Sequence, residues 1–181
     1  NTFELSLLKT LYNKLIHFMN QNTKKQAKKN IAKHYDLGNN FYECWLDKSM
    51  TYSSAIFNSK ADNLETAQYN KYKKLAELSS IKDGDEILEI GCGWGGFSEF
   101  IGNNYDCKVT AVTISEEQFN FAKNRINEAK LSEKVNILFC DYRNIIGKFD
   151  KIVSIEMFEA VGSEYWNTFF KKVESVLKPK G

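Results

Sequence analysis

The fold of this 181-residue chain is decided by residues 86–113, which read EILEIGCGWGGFSEFIGNNYDCKVTAVT. A short apolar segment leads into a loop that contains Gly91, Gly93, Gly95 and Gly96, and a β-branched segment follows an amphipathic stretch. Glycine lacks the Cβ atom that would keep a backbone away from a ligand, and it permits the positive φ of a tight strand-to-helix turn. The stretch therefore predicts a strand, a ligand-binding loop, a helix and a second strand.

The spacing of the glycines is compatible with two cofactors. Gly91, Gly93 and Gly96 satisfy G-x-G-x-x-G, the dinucleotide fingerprint, but that motif also requires an acidic residue at the end of the next strand, and here the strand ends at Thr113. With Glu89 included, the loop reads E-x-G-x-G-x-G and resembles the S-adenosylmethionine (SAM) loop of methyltransferases. A carboxylate suits a ligand with an ammonium and a sulfonium, and suits a pyrophosphate poorly. We expect SAM rather than NAD, with a structural turn that binds no ligand as the third alternative.

The apolar pattern predicts an α/β fold. After Asp85 strands and helices alternate, which is typical of a parallel sheet with helices on both faces. The predicted strands are 86–90, 108–112, 135–139 and 150–155. One predicted helix begins at about residue 95, and two others cover 115–129 and 164–177. Upstream we expect helices over 3–19, 24–34 and 39–47, an irregular segment over 48–60, and a helix from Asp62, opened by a capping box with Glu65, to about Leu78.

Length and composition fit one hydrophobic core, because 43% of the residues are apolar. The cysteines lie far apart without a C-x-x-C pair, so we expect neither a zinc site nor another metal site nor a disulfide, and a reducing cytoplasm is the simplest compartment; they are Cys44, Cys92, Cys107 and Cys140. The chain does not begin with methionine, which indicates processing or the omission of an upstream piece.

The formal net charge of +2 conceals an uneven distribution. Residues 1–35 contain seven lysines and a single acidic residue. Five of the lysines form a basic run after the amphipathic segment: Lys24, Lys25, Lys28, Lys29 and Lys33. Such a run is typical of a surface that meets anionic lipid or nucleic acid, and also of a solvated helix face. No aromatic residues are interleaved for base stacking, which disfavours nucleic acid. Residues 3–19 are too short and too interrupted by charge to span a bilayer.

Four motifs in order carry a family resemblance: HYDLGNNFYECWLDKSMTYSSAIF (34–57), LEIGCGWGG (88–96), VTISEEQ (112–118) and IVSIEMFEAVG (152–162). They resemble the cyclopropane-fatty-acyl-phospholipid synthase family, which includes the mycolic acid cyclopropane synthases, from about Lys29 to Gly181. The resemblance implies a Rossmann-like SAM-dependent methyltransferase sheet in strand order 3-2-1-4, truncated after the fourth strand, with an N-terminal helical segment. We divide the chain into 1–79, the helical segment with a SAM-closing loop, and 80–181, an incomplete SAM-binding core.

The resemblance also implies a set of cofactor contacts. It assigns the loop that closes over SAM to Tyr52 and Ser53, and the turn under the methionine part to Gly91 and Gly93, beside Glu89. The implied ribose contacts are Thr113, Ile114 and Gln118, and the implied adenine contacts are Asp141 and Tyr142. Gln118 can offer a donor and an acceptor to a diol, and it can equally be the capping-box partner of Ser115.

The reaction implied by the resemblance is methyl transfer to the cis double bond of a phospholipid acyl chain, followed by loss of a proton and ring closure. In that family a bound bicarbonate is the base, and the resemblance places it at the Glu159 side chain and the Ile155 carbonyl, with Glu156 as an alternative. Ser54 stands where many members have cysteine, and Ala160 where several have histidine. The family's remaining catalytic histidine and tyrosine would follow Gly181, since His17 and His34 match neither.

The resemblance implies phospholipid acyl chains at an anionic membrane surface as partners, a peripheral place at the cytoplasmic face of the inner membrane, and a homodimer. The alternatives from other classes are a SAM-dependent N-methyltransferase of a small amine, and a basic binding module without catalysis.

Overall fold

The computed structural model describes residues 38–181. The predicted helices over 3–19 and 24–34, and the basic run, lie outside the described residues. The helices are α1 (Asn39–Glu43), α2 (Leu64–Leu78), α3 (Gly96–Asn104), α4 (Glu116–Glu128) and α5 (Trp166–Val176). The strands are β1 (Glu86–Ile90), β2 (Lys108–Thr113), β3 (Val135–Phe139) and β4 (Lys151–Val153). Short 3-10 turns occupy Tyr142–Asn144, Phe158–Ala160 and Ser163–Tyr165.

The four strands form one parallel sheet in the order β3-β2-β1-β4. Leu88 in the middle of β1 is paired with Thr110 of β2 on one side and Ile152 of β4 on the other. The predicted fold class and strand order are therefore confirmed. The strand order reverses at β1, because β2 and β3 lie on one side of it and β4 lies on the other. Such a reversal opens a crevice at the carboxyl ends of the strands.

Alternate residues of each central strand serve opposite faces of the sheet. Ile87 and Val109 pack with Phe97, Ile101 and Ala122 on the face covered by α2, α3 and α4. The opposite face holds Leu88, Ile90 and Val112 against α5. Because side chains alternate along a strand, a strand buried on both faces is almost continuously apolar, and that is the sequence pattern of β1.

Several boundaries differ from the sequence prediction by a few residues. The first described helix ends at Glu43 rather than at residue 47. The N-cap of α2 is Asn63, whose side chain accepts from the Thr66 amide at 2.8 Å, so the predicted Asp62 capping box is wrong. Asp62 instead accepts from the amides of Asn58 and Ser59 upstream, which closes the preceding turn.

Strand β4 is also shorter than the predicted 150–155, because the chain after Val153 turns towards the crevice. The Ser154 hydroxyl donates to the Ile90 carbonyl at 3.0 Å, a side-chain bond beyond the last ladder pair. Two residues before this strand begins, an isolated parallel bridge joins Phe149 to Leu177. Within residues 38–181 no helix is both long and apolar enough to cross a membrane.

Candidate functional site

The candidate site is a cavity of about 880 Å³ at the carboxyl ends of the four strands. The segments that follow β1, β2, β3 and β4 each contribute to its wall, and the irregular segment over 45–54 covers it. A crevice at the reversal of strand order is where open α/β sheets bind ligands. Twelve of the thirteen predicted site residues line this cavity: Tyr52, Ser53, Ser54, Glu89, Gly91, Gly93, Thr113, Ile114, Gln118, Asp141, Tyr142 and Ile155.

The glycines of the loop differ in how closely neighbouring atoms approach them. Gly91 has φ +81°, and a Cβ atom there would lie 2.6 Å from Met157 Cγ. Gly93 has φ +53°, yet a Cβ atom there would meet nothing within 4 Å. A Cβ at Gly96 would lie 2.5 Å from the Tyr72 hydroxyl. Packing therefore requires Gly91 and Gly96, whereas Gly93 borders open space in the cavity wall.

Glu89 is a buried carboxyl group in this wall. Its side chain is 2% exposed and accepts a hydrogen bond from the Ser98 hydroxyl. Burial raises the pKa of Glu89 to about 7, and the bonds from Ser98 and the charge of Lys71 oppose that rise. A buried carboxylate next to a cavity stabilises a cationic ligand, because little solvent screens the attraction.

Thr113 and Gln118 form one hydrogen-bonded unit beyond β2. The Thr113 hydroxyl donates to Gln118 Oε1 at 2.9 Å, and both side chains are buried. Ser115 Oγ accepts from the Gln118 amide, but the Gln118 side chain does not return the bond, since the Ser115 amide donates to Thr113 Oγ1. Only half of the predicted capping box forms. Gln118 Nε2 has no hydrogen-bond partner in residues 38–181, so it is available to a ligand in the cavity.

After β3, Asp141 forms an ion pair that the sequence analysis did not anticipate. Arg143 donates to both carboxylate oxygens, at 2.8 Å from Nε and 2.6 Å from Nη2. Tyr142, between them, packs its ring against Phe169 with centroids 5.3 Å apart. The pair fixes the orientation of this segment in the cavity wall. The signal in the sequence was an acid and a base two positions apart.

An aromatic cluster surrounds Tyr52 at the cavity mouth. Its ring lies 5.5 Å from that of Tyr42 and 5.4 Å from that of Trp45, measured between centroids. Tyr42 in turn lies 4.9 Å from Trp94 of the glycine loop, and Trp94 Nε1 donates to Asn39 Oδ1 at 2.7 Å. The short helix α1 thus connects the covering segment to the glycine loop.

Polar side chains from α2 and α4 donate hydrogen bonds to backbone carbonyls of the covering segment. Gln68 Nε2 donates to the Ser53 carbonyl at 2.8 Å, and Lys71 Nζ donates to the Ser54 carbonyl at 2.9 Å. Arg125 donates to the Ser49 carbonyl at 2.6 Å. The sequence analysis missed all three residues. The available signal was the 3-residue spacing of Gln68 and Lys71 on the helix face that also buries Ala67 and Tyr72.

The segment after β4 brings a different carboxylate into the cavity from the one expected. Glu159 is exposed in a 3-10 turn and is not among the residues that line the cavity. Glu156 does line it, and Glu156 Oε1 accepts from the Ser54 amide at 2.8 Å and also from the Ser54 hydroxyl. Ala160 lies in the wall nearby and offers no titratable group.

The cavity fits SAM on its own chemistry. Gln68 Oε1 is a buried acceptor without a hydrogen-bond partner in the described residues, and Gln68 lines the cavity. Together with the Glu89 carboxyl group it suits the positively charged methionine end of the ligand, while the open space at Gly93 admits close approach to the backbone. In the described part of the chain no group of three acidic, histidine or cysteine side chains could hold a metal ion, and the four cysteines are free.

Comparisons with known proteins find a matching family profile and several similar proteins. The profile of the mycolic acid cyclopropane synthetase family matches residues 22–181. The cyclopropane-fatty-acyl-phospholipid synthase of Escherichia coli K12 is 44% identical over 162 residues, which cover 90% of this chain and 41% of that protein. The tuberculostearic acid methyltransferase of Mycobacterium tuberculosis is 36% identical over 166 residues, which cover 88% of this chain and 39% of that protein. The chain thus spans about two fifths of the length of these curated relatives.

A solved structure agrees with the fold. The mycolic acid cyclopropane synthase CmaA1, in complex with SAH and CTAB, matches with a TM-score of 0.80 and 29% identity. The match covers 83% of this chain and 53% of that one.

Proposed function

The chain belongs to the mycolic acid cyclopropane synthetase family, and we propose that it serves in SAM-dependent methylation of the double bond of unsaturated phospholipid acyl chains, with closure of a cyclopropane ring. The observation that carries the proposal is the convergence of Glu89, the open backbone at Gly93 and the Thr113–Gln118 unit in one cavity at the strand-order reversal. The CmaA1 structure, a relative at 29% identity, contains SAH, which supports SAM as the methyl donor.

We assign successive parts of SAM to the segments that follow β1, β2 and β3. The methionine end of SAM would lie beside Glu89, against the backbone of Gly91 and Gly93. The ribose hydroxyls would meet Gln118 Nε2 and the Thr113–Ile114 segment. The adenine would lie along Asp141 and Tyr142, and Tyr52 and Ser53 would close over the ligand. When bound, SAM supplies a methyl group on a positively charged sulfur.

The acyl chain is proposed from chemistry and from relatives. An alkene is a weak nucleophile, so the protein must hold it in line with the methyl group and keep water out. Positive charge then develops on carbon, and aromatic rings stabilise such charge. Tyr52, Tyr72 and Tyr142 line the cavity and can provide that environment. The E. coli relative named for fatty-acyl phospholipid supports the substrate class.

The last chemical step needs a proton acceptor. The resemblance implies bicarbonate, held by Glu159 and the Ile155 carbonyl, with Ser54 nearby. Ile155 and Ser54 line the cavity and can contact such an anion. Glu159 does not line it, so among the described residues Ile155 and Ser54 are the contacts that remain for bicarbonate.

We place the substrate at a membrane surface. The basic run over residues 24–33 is suited to anionic lipid, since each lysine near such a surface adds about 1 kcal/mol of binding. This supports a peripheral position on the cytoplasmic face of the inner membrane. A homodimer, also expected from the resemblance, is part of the same proposal.

The test is lipid mass spectrometry on cells that express the full-length gene and lack a cyclopropane synthase of their own. One added methylene on unsaturated acyl chains, with loss of the double bond, is the expected result. A matched strain expressing a Gly93→Asp variant, whose side chain would enter the cavity, should show no such product. If phospholipids are unchanged and a small amine gains a methyl group instead, the proposed substrate class is wrong.

A further inference from the structure

Glu156 holds an unusual backbone conformation for a glutamate. It has φ +45°, in the left-handed region that side chains other than glycine rarely adopt. Such a conformation costs free energy and persists where surrounding contacts over-determine it, often at a functional site. Here the turn directs the Glu156 side chain into the cavity directly after β4.

Ser54 holds the Glu156 carboxylate by one oxygen. The Ser54 amide and the Ser54 hydroxyl both donate to Oε1. Oε2 has no hydrogen-bond partner among residues 38–181. Two donors on one oxygen fix the plane of the carboxylate and leave the second oxygen available to accept a proton.

Lys71 supports this contact through a hydrogen bond to Ser54. Its ammonium donates to the Ser54 carbonyl, and so joins α2 to the residue that holds Glu156. Burial lowers the pKa of Lys71 to about 8, and the negative charge of Glu156 opposes that change. Lys71 thus anchors the backbone of the residue whose amide and hydroxyl hold Glu156.

The other carboxylates of the cavity wall are engaged. Glu89 is buried and bonded by Ser98, and both oxygens of Asp141 accept from Arg143. Glu156 is the cavity-lining carboxylate that follows β4, next to Ile155 and bonded to Ser54, where the resemblance places the base.

We propose that Glu156, held by Ser54, is the proton acceptor of ring closure, in the place that the resemblance gives to bicarbonate. This inference rests on the proposed function. Once the methyl group has left sulfur and its carbon is bonded to one alkene carbon, the other alkene carbon is electron-deficient. Glu156 Oε2 takes a proton from the transferred methyl carbon, and the electron pair of that C–H bond forms the third ring bond. Glu156 then releases the proton to solvent.

The experiment uses the complete enzyme with phospholipid vesicles, in buffer with and without bicarbonate. Wild type should keep its rate when bicarbonate and dissolved carbon dioxide are removed. Glu156→Gln should lose about 100-fold or more, the usual cost of removing a general base. Calorimetry should find its SAH affinity within a few-fold of wild type. Added bicarbonate should restore part of the rate that is lost in a Glu156→Gly variant, because removal of the side chain leaves room for a small anion. The matched control is Glu174→Gln, an exposed carboxylate on α5, which should change nothing.

A Glu156→Gly variant separates catalysis from folding. Glycine adopts φ +45° without strain, so this variant should melt at a higher temperature than wild type while it loses activity as Glu156→Gln does. A wild type that depends on bicarbonate, with Glu159→Gln inactive and Glu156→Gln near normal, would overturn the inference and leave the proposed function standing. A wild-type enzyme that forms no cyclopropane would overturn both.

Discussion

Lys71 and Ser54 are joined by a hydrogen bond of 2.9 Å from the lysine ammonium to the serine carbonyl oxygen. The bond connects the buried face of α2 to the segment that covers the cavity. Lys71→Met keeps most of the apolar length of the side chain but removes the charged donor, and a hydrogen bond to a charged group contributes about 1.5–3 kcal/mol. We expect the covering segment to loosen and SAM affinity to fall by about tenfold or more.

Hydrogen exchange and calorimetry on the same preparation test this expectation. Amides over 51–55 should exchange faster in Lys71→Met, while those of β1 and β2 should not. Lys73→Met is the matched control, because Lys73 is exposed on the same helix. Equal SAM affinity in the two variants would mean that the Lys71 contact does not position the covering segment for the ligand.

The affinity for SAM should rise with pH. Burial raises the pKa of Glu89 from its ordinary value of 4.5 to about 7, so the group becomes charged only as pH passes through that value. Attraction to the cationic ligand is therefore weak at about pH 6 and stronger at about pH 7.5. Isothermal titration at both values measures the difference. Glu89→Gln, neutral throughout, should bind weakly at both, and a wild type that binds equally at both would refute the role given to Glu89.

The same group has an opposite effect on the stability of the ligand-free protein. The pKa of Glu89 is higher in the folded state than in the unfolded state, so its contribution to stability is fully present below about pH 4.5 and is lost as pH rises through about 7. The difference in melting temperature between Glu89→Gln and wild type should therefore shift in favour of the variant from about pH 5 to about pH 8. No change in that difference would mean that the carboxyl group is not buried as the structure has it.

Alanine at two glycines of the loop should separate stability from binding. Gly91→Ala should destabilise the fold by several kcal/mol, because the new Cβ would lie 2.6 Å from Met157 Cγ at φ +81°. Gly93→Ala should cost only about 1 kcal/mol of backbone strain, since no atom lies within 4 Å, but its methyl group would enter the cavity. Denaturant unfolding measures the free energy of unfolding of each variant, and SAM titration measures its affinity for the ligand.

A second substitution tests the reason for the Gly91 effect. Met157→Ala in the Gly91→Ala background should recover part of the lost stability, because it removes the Cγ atom that clashes. In the Gly93→Ala background it should recover nothing. If Gly93→Ala binds SAM as tightly as wild type, the ligand does not approach this part of the loop.

Replacement of Ser54 should be milder than replacement of Glu156. Ser54→Ala removes the hydroxyl bond to Glu156 Oε1 but keeps the amide bond of 2.8 Å, so we expect a rate loss of about tenfold or more, from one bond to a charged group of about 1.5–3 kcal/mol. Ser54→Cys should stay closer to wild type, because a thiol remains a weak donor. Steady-state rates with phospholipid vesicles decide this. A Ser54→Ala enzyme as inactive as Glu156→Gln would show that Ser54 acts in the chemistry itself.

Membrane binding should depend on the basic run. Replacing Lys24, Lys25, Lys28 and Lys29 by glutamine should cost about 1 kcal/mol each on anionic vesicles and nothing on neutral ones, with the difference diminished by salt. Co-sedimentation measures the binding. The control replaces four exposed lysines elsewhere: Lys60, Lys73, Lys130 and Lys171. An equal loss in both variants would make the effect one of net charge alone.

The sequence determined the architecture of the protein because the relevant signals are local. The run from Glu86 to Ile90, the glycines after it and the β-branched β2 each carry their own periodicity, and that periodicity alone predicts strand, loop, helix and strand. The cavity then follows from the strand order. The family resemblance that the four motifs carry supplied the residues that line it, from Tyr52 to Tyr142.

Only the tertiary structure decided which side chains meet. Asn63 rather than Asp62 caps α2, because the preceding turn occupies the Asp62 carboxylate. Glu156 rather than Glu159 faces the cavity, because a positive φ after β4 turns the chain and places Glu156 against Ser54, 102 positions earlier. A contact across that separation depends on the paths of the loops between the elements, and local periodicity does not encode those paths.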